Sequence, residues 1–193
     1  FLFSASAGQI AEKFEKQRLI VWVKLFEIAA MCVAAWGFYA QSPLLLFVVL
    51  FLMGLHSTVF GPIKYAILPQ VLESKELVGG NGLVETGPSI AILVGMIAGG
   101  AAIHGFGAPA ASVLVIGVAL LGLAASLAIP RVPAAAPSLK FNWNFIVESG
   151  RVLKLAAKQR AVFNSILGIS WFWFFGGVVT RSEEHTSELQ SRL

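Results

Sequence analysis

Long apolar runs alternate with short polar breaks along most of the chain. A helix that crosses a bilayer needs roughly 20 mostly apolar residues. Four runs meet this length: residues 19–40, 43–68, 81–103 and 109–130. A further apolar run ends near Ala7, and another begins at about residue 161. Because these runs are apolar on all sides rather than along one stripe, the pattern predicts spanning helices and not helices lying on a membrane surface.

The composition agrees with this pattern and excludes several classes of protein. Only 12% of the 193 residues are charged and 57% are hydrophobic, whereas soluble domains carry about 25% charged residues. A soluble enzyme, a disordered chain and a nucleic-acid-binding domain are therefore excluded, although the formal net charge is +4. The single cysteine, Cys32, and the absence of aspartate argue against a disulfide framework, a metal site and a catalytic acid pair. We expect an all-α polytopic membrane helix bundle without a cofactor.

Basic residues occur only on alternate loops. Segments 8–18, 69–80 and 131–160 carry lysine or arginine, whereas the turns at 41–42 and 104–108 carry neither. The positive-inside rule predicts that the three basic loops are cytoplasmic. The longest loop opens with prolines and alanines and continues as a basic amphipathic segment. This segment is predicted to be an interfacial helix, a simple linker between two bundles, or both.

The first basic loop contains a motif of a glycine, an acid and a basic cluster. The chain reads GQIAEKFEKQR over residues 8–18, and its key positions are Gly8, Glu12, Lys13, Lys16 and Arg18. The motif resembles the loop between helices 2 and 3 of the major facilitator superfamily, although Glu12 replaces the usual aspartate and Glu15 a usual glycine. The resemblance implies conformational, gating roles for these residues. A glycine allows two helix ends to approach closely, and the acid can pair with a neighbouring base or helix end.

The position of this motif assigns the remaining spans. The four runs become family helices 3–6, and the long basic loop becomes the central linker between the two halves of the fold. The resemblance implies a fragment: residues 1–130 end the second helix and complete the N-terminal bundle, 131–160 form the cytoplasmic linker, and 161–180 start helix 7. Residues 181–193 turn abruptly polar and resemble a translated sequencing adapter. The alternative is a natural polar loop, and we assign no function to this tail.

Three stretches narrow the resemblance to one branch of the superfamily. Residues 60–69, 76–100 and 168–177 are similar to bacterial lysophospholipid transporters. The resemblance implies alternating-access movement of lysophosphatidylethanolamine across the bacterial inner membrane, with phospholipid, lysophospholipid and membrane lipid as partners. In some bacteria a similar domain is fused ahead of an acyltransferase and an acyl-carrier-protein ligase, so we expect any enzymatic activity to lie in such a fused domain. The alternative is a proton-coupled exporter of a soluble drug or metabolite, but the spans give no mid-depth acid for that role.

Ionisable residues inside spans are candidates for function because they are costly in hydrocarbon. Lys64 and Glu85 are predicted at the same depth, roughly 6 Å inside the cytoplasmic face, where they can pair or bind a headgroup phosphate and ammonium. The structural alternatives are a lysine that extends to the interface and a glutamate in a fixed bridge. His56 is a third candidate for substrate binding or proton relay, and its alternative is a packed core histidine.

Two further features of the spans are expected to be structural or mechanical. Lys24 and Glu27 are spaced i,i+3 and are predicted to form an ion pair on one face of their helix. Gly61 and Pro62 are predicted to interrupt and bend the span that carries Lys64, since proline removes a backbone hydrogen bond. This bend would aim Lys64 inward or act as a hinge during gating.

Overall fold

The described part of the chain is built from helices. The computed structural model describes residues 4–142 and 144–190, so the extreme ends of the predicted N-terminal run and of the polar tail lie outside it. The helices are α1 (Ser4–Lys13), α2 (Lys16–Tyr39), α3 (Pro43–Ala66), α4 (Leu68–Val71), α5 (Leu77–Leu127), α6 (Phe145–Lys158) and α7 (Arg160–Gln190). The predicted all-α class is confirmed. The chain divides into two units, Phe1–Phe145 and Ile146–Leu193.

Within the described residues, four helical segments are long and apolar enough to cross a membrane: Lys16–Tyr39, Pro43–Val71, Leu77–Leu127 and Arg160–Val179. The first two form a helical hairpin, because only residues 40–42 separate α2 from α3. Ser42 caps α3 by accepting a hydrogen bond from the backbone of Leu45 at 3.5 Å, and Pro43 occupies the first turn. Both residues are favoured at a helix start, which explains why α3 begins at the residue where the predicted span begins.

The turn predicted at residues 104–108 is a reversal centred on one glycine. α5 runs for 51 residues and is interrupted only at Gly107, where φ is 77° and ψ is −174°. A straight helix of that length would extend about 75 Å, far more than the ~30 Å of a bilayer core. Glycine is the residue that adopts such a backbone conformation without strain. The two predicted spans 81–103 and 109–130 are therefore the two arms of α5.

Contacts at the ends of α5 show that its arms run in opposite directions. Glu85, early in α5, accepts a hydrogen bond from Tyr65 near the end of α3. Ser126, at the other end of α5, lies beside the start of α2, where Gln17 Nε2 is 3.5 Å from its carbonyl oxygen. The start of α2 and the end of α3 lie together, since the two helices form a hairpin. The first arm of α5 therefore begins, and the second arm ends, at the same end of the first unit.

The segment after α5 is held against that same end. The backbone N–H of Ala136 donates to the carbonyl of Glu12 at 2.9 Å, and that of Asn142 donates to Gln9 Oε1 at 2.8 Å. Gln70 Nε2 lies 3.5 Å from the carbonyl oxygen of Pro133. Parts of all three basic loops therefore gather at one end of the bundle, which we call the basic end.

The buried core of the first unit is small and lies towards the basic end. Ala11, Ile20, Ile63 and Ile67 are buried and in mutual contact, which joins α1, α2 and α3. Most large apolar side chains elsewhere are exposed, and no residue in the Arg160–Val179 window is buried within the chain. Such surfaces require lipid or further protein around them, because in water they would be aggregation-prone.

Two backbone expectations are corrected by the structure. α3 stays helical through Gly61 and Pro62 as far as Ala66, so the predicted interruption is absent; Pro62 only leaves the carbonyl of Thr58 without its usual donor. The close approach expected at Gly8 is also absent, since a Cβ atom there would meet no heavy atom of a neighbouring element within 4 Å.

The second unit begins with a basic amphipathic helix. In α6, Arg151, Lys154 and Lys158 line a shallow depression of about 210 Å³ together with Leu155. Their spacing of three and four residues puts them on one face of the helix. This arrangement fits a helix whose basic side faces anionic headgroups, and the interfacial role stays a prediction.

Candidate functional site

Lys64 and Glu85 are brought together through the tyrosine between them. The Tyr65 hydroxyl donates a hydrogen bond to Glu85 Oε1, and the Lys64 ammonium lies 4.7 Å from the centre of the Tyr65 ring. The direct ion pair between Lys64 and Glu85 is not formed. Lys64 is partly exposed, and Tyr65 and Glu85 are exposed. We call these three residues the outer trio; it presents a cation, a hydroxyl and a carboxylate at the edge of an apolar surface.

His56 lies in a separate cluster that the sequence did not predict as a unit. Its Nε2 is 3.3 Å from Glu27 Oε2, and the same oxygen lies 2.6 Å from the Lys24 ammonium. The predicted contact between Lys24 and Glu27 is therefore present, but Glu27 also faces a second helix. The side chains are 8%, 16% and 19% exposed for His56, Glu27 and Lys24. We call them the inner cluster.

Aromatic rings enclose the inner cluster. The His56 imidazole stacks between Phe26 and Phe60, with centroid distances of 6.5 and 5.8 Å, and the Lys24 ammonium lies 5.2 Å from the centre of the Phe60 ring. Such contacts between a cation and a ring face are favourable. Lys24 also packs against the second arm of α5, where a Cβ atom on Gly122 would come within 3.3 Å of its Nζ.

The motif residues at the basic end occupy different environments. The Glu12 side chain is exposed, Lys13 lies 6.0 Å from the Phe14 ring centre, and Arg18 pairs with Glu15 at 2.7 Å. Glu15, which stands where the family usually has glycine, therefore neutralises part of the basic cluster. Lys16 is only 1% exposed, and its ammonium has no hydrogen-bond partner among the described residues.

Sequence reasoning missed two features of these sites. It expected no mid-depth acid in the spans, whereas Glu27 lies at the depth of His56 and contacts it. A signal was available: Glu27 lies fourteen residues before Gln41, and His56 lies fourteen residues after Ser42. Residues equidistant from a tight turn share one depth in an antiparallel helix pair. The role of Tyr65 as the link in the outer trio had no comparable signal.

Helices long and apolar enough to cross the bilayer, a reversal at one glycine and ionisable groups within the spans together indicate a multi-pass membrane protein. A profile of the Major Facilitator Superfamily matches residues 1–185, and the chain belongs to that superfamily.

Within this superfamily, the chain is similar to curated proteins named lysophospholipid transporters. The chain is 32% identical over 173 residues to the lysophospholipid transporter LplT of Serratia proteamaculans, covering 88% of this chain and 41% of the relative. It is also 32% identical over 183 residues to LplT of an Escherichia coli O7:K1 strain, covering 91% and 43%. The chain thus spans less than half the length of these relatives. No solved structure matches it.

Proposed function

We propose that the full-length protein containing this chain moves lysophospholipid across the bacterial inner membrane by alternating access. The relatives that share 32% identity with nearly the whole chain are lysophospholipid transporters. The outer trio is the observation that carries the proposal within the chain, because it combines opposite charges with an adjacent apolar surface. A lysophospholipid has the matching parts: a charged headgroup and a single acyl chain.

The chemistry of the outer trio suits a zwitterionic headgroup. Within the part of the chain that the structure describes, the Lys64 ammonium lies against a ring face, and it can exchange that contact for a stronger charge-assisted hydrogen bond to a phosphate. The Glu85 carboxylate accepts one hydrogen bond from Tyr65 and has further acceptor capacity for a headgroup ammonium. Lys64 thus binds any phospholipid phosphate, whereas Glu85 selects headgroups that carry an amine.

Uptake of two lysolipids by the full-length protein in proteoliposomes tests this division of roles. Loss of a hydrogen bond to a charged group costs about 1.5–3 kcal/mol, so Lys64→Ala is expected to lower uptake of lysophosphatidylethanolamine and lysophosphatidylglycerol roughly 10- to 100-fold. Glu85→Gln is expected to lower uptake of the first lipid only. Lys75→Ala is the control, because Lys75 is exposed and pairs with Glu73 at 2.8 Å. Unchanged uptake by Lys64→Ala would refute the headgroup assignment.

We also propose that the basic end is cytoplasmic. Its excess of lysine and arginine supports this orientation. In a background with Cys32→Ser, single cysteines at Lys75 and Arg131 should react with an impermeant thiol reagent only from the cytoplasmic side. A cysteine at Gln41, in the turn at the opposite end of the α2–α3 hairpin, should react only from outside. The reverse pattern would overturn the orientation.

A proton-coupled exporter of a soluble solute is the second candidate, and one observation favours it. The expectation that the spans lack a mid-depth acid is wrong, because Glu27 lies at the middle of α2 and contacts His56. Export of a drug or metabolite that stops when the proton gradient is dissipated, without lysolipid uptake, would favour this function.

An acyltransferase or ligase activity would belong to a fused domain, and the sequence of the full-length gene tests for one.

A further inference from the structure

The inner cluster holds charge at the middle of the bilayer, away from the outer trio. Glu27 is the twelfth of 24 residues in α2, and His56 is the fourteenth of 24 in α3. Ionisable groups at this depth are costly unless they pair, and they commonly mark proton or ion pathways. The contacts of the cluster are formed between side chains of α2 and α3, without a substrate.

One carboxylate oxygen serves two partners that lie on different helices. Glu27 Oε2 accepts a hydrogen bond of 2.6 Å from Lys24, which is on α2 itself. His56 is on α3; its Nε2 lies 3.3 Å from the same oxygen, and neither ring nitrogen has a well-formed hydrogen bond among the described residues. Lys24 is thus the firmly bound partner, and the buried imidazole of His56 is the loosely bound one.

The charge balance of the cluster depends on His56. The charges of Lys24 and Glu27 cancel, so the cluster is neutral when His56 is neutral. With a proton on Nε2 facing the carboxylate, the free lone pair lies on Nδ1. A proton from solution can add to Nδ1 without breaking a bond, and the cluster then carries one positive charge. The imidazolium and the Lys24 ammonium then both face the same carboxylate oxygen.

We propose that His56 is a proton-binding site, and that its protonation moves Glu27 from its intrahelical partner Lys24 to its interhelical partner His56. A hydrogen bond from imidazolium to carboxylate is shorter and roughly twice as strong as a neutral one. The contact between α2 and α3 is therefore weak when His56 is neutral and becomes a clamp when it is charged.

The surroundings of the cluster can accommodate both states. Phe60 offers a ring face to the released Lys24 ammonium, and the rings of Phe26 and Phe60 flank the imidazolium. A cavity of about 300 Å³ includes His56 in its lining and extends along α2 as far as Leu19, four residues into the helix. The other lining residues are apolar or aromatic, so His56 is the ionisable group that faces this cavity.

Other titratable groups near α3 lie further from His56. Lys64 follows it by eight residues, or about 12 Å along the helix. α1 contributes Glu12 and Lys13 near the basic end, α5 contributes Glu85 and His104, and α4 contributes none. Within the described ranges, Glu27 is the one carboxylate within ion-pair distance of the imidazole.

Solid-state NMR of the full-length protein in liposomes tests the site without a transport assay. The other histidines are replaced by glutamine and the protein is labelled with 15N-histidine. We expect the His56 signal to change from a neutral to a doubly protonated imidazole between about pH 9 and pH 5. The distance between Lys24 Nζ and the Glu27 carboxyl carbon should lengthen over the same range. A His56 signal that stays neutral to about pH 5, or a constant distance, would overturn the proposal.

A link to transport rests additionally on the proposed function. α3 carries both His56 and Lys64, so a clamp on α3 should change the rate of lysolipid uptake. We expect wild-type uptake to vary at least about fivefold with pH, as for typical coupling between sites, and His56→Gln to flatten the profile. His104→Gln, at an exposed histidine of α5, should keep the wild-type profile. A wild-type profile in His56→Gln would disprove the link, whereas absence of lysolipid uptake in the wild type would refute the proposed function and leave the NMR result to decide the proton site.

Discussion

The outer trio and the inner cluster use the same kinds of side chain for opposite purposes. Each contains a lysine, a glutamate and a third group that hydrogen-bonds or stacks. The outer trio is exposed and its charges do not pair directly. The inner cluster is mostly buried, and its lysine and glutamate are in contact. Unpaired charge near an interface is tolerated and available to ligands, whereas charge inside the bilayer must be neutralised locally. Exposure, rather than residue type, thus distinguishes the proposed substrate site from the inner cluster.

The largest expected effect is a loss of stability that occurs in the inner cluster and not in the outer trio. Glu27→Leu leaves the Lys24 ammonium without its carboxylate, and breaking a buried pair in this way costs about 3–5 kcal/mol. Reversible unfolding of the full-length protein in detergent measures the change. Glu85→Leu, in the exposed trio, should change stability by no more than about 0.5 kcal/mol. The double variant Lys24→Met/Glu27→Leu should recover most of the loss, and equal losses for Glu27→Leu and Glu85→Leu would erase the distinction between the sites.

A packing change beside the inner cluster should have the next largest effect. Gly122→Leu introduces atoms where even a Cβ would come within 3.3 Å of Lys24 Nζ, and overpacking of this kind costs about 1–3 kcal/mol. The same unfolding assay reports it. Gly95→Leu is the matched control, because Gly95 is exposed in the other arm of α5 and its Cβ would meet no neighbour. Equal stability of the two variants would mean that α5 does not confine Lys24.

The smallest effect concerns the outer trio and should appear in transport only. Tyr65→Phe removes the hydroxyl that donates to Glu85 but keeps the ring beside Lys64. Loss of one ordinary hydrogen bond is worth about 0.5–1.5 kcal/mol, so lysophosphatidylethanolamine uptake should fall roughly 2- to 10-fold with unchanged unfolding. Tyr39→Phe, at an exposed tyrosine near the opposite end of α2, should transport normally. A stability loss in Tyr65→Phe without a transport defect would assign Tyr65 to the structure rather than to the substrate.

Hydropathy predicted most of the fold because a bilayer imposes a length on every apolar segment. α2 and α3 begin and end within a few residues of their predicted limits, and the two arms of α5 correspond to two predicted spans. The reversal at Gly107 was predicted too long, since His104, two glycines and Pro109 mark a break in the apolar pattern without showing which residue adopts the non-helical conformation. The helicity of α3 through Pro62 was missed because surrounding contacts can support a helix that has lost one hydrogen bond.

The sites were harder to predict than the helices, because they depend on how helices rotate against one another. Spacing within one helix was sufficient for the contact between Lys24 and Glu27. Whether Glu27 also faces His56 depends on the rotation of α2 about its axis, which hydropathy does not define for a helix that is apolar all round. Their equal predicted depth was sufficient to place Lys64 and Glu85 in the same region. The contact of Tyr65 with both residues depends on how α3 packs against α5, which the sequence does not show.

The reversal at Gly107 also bears on how the protein is made. It leaves almost no hydrophilic segment between the two arms of α5, so very little polar chain has to be translocated for residues 77–127 to enter the bilayer. We expect the two arms to insert together as a helical hairpin during synthesis, with their orientation retained by the basic residues that flank them. A bulkier residue at Gly107 is then expected to impair membrane insertion during synthesis, before it can lower the stability of the folded protein.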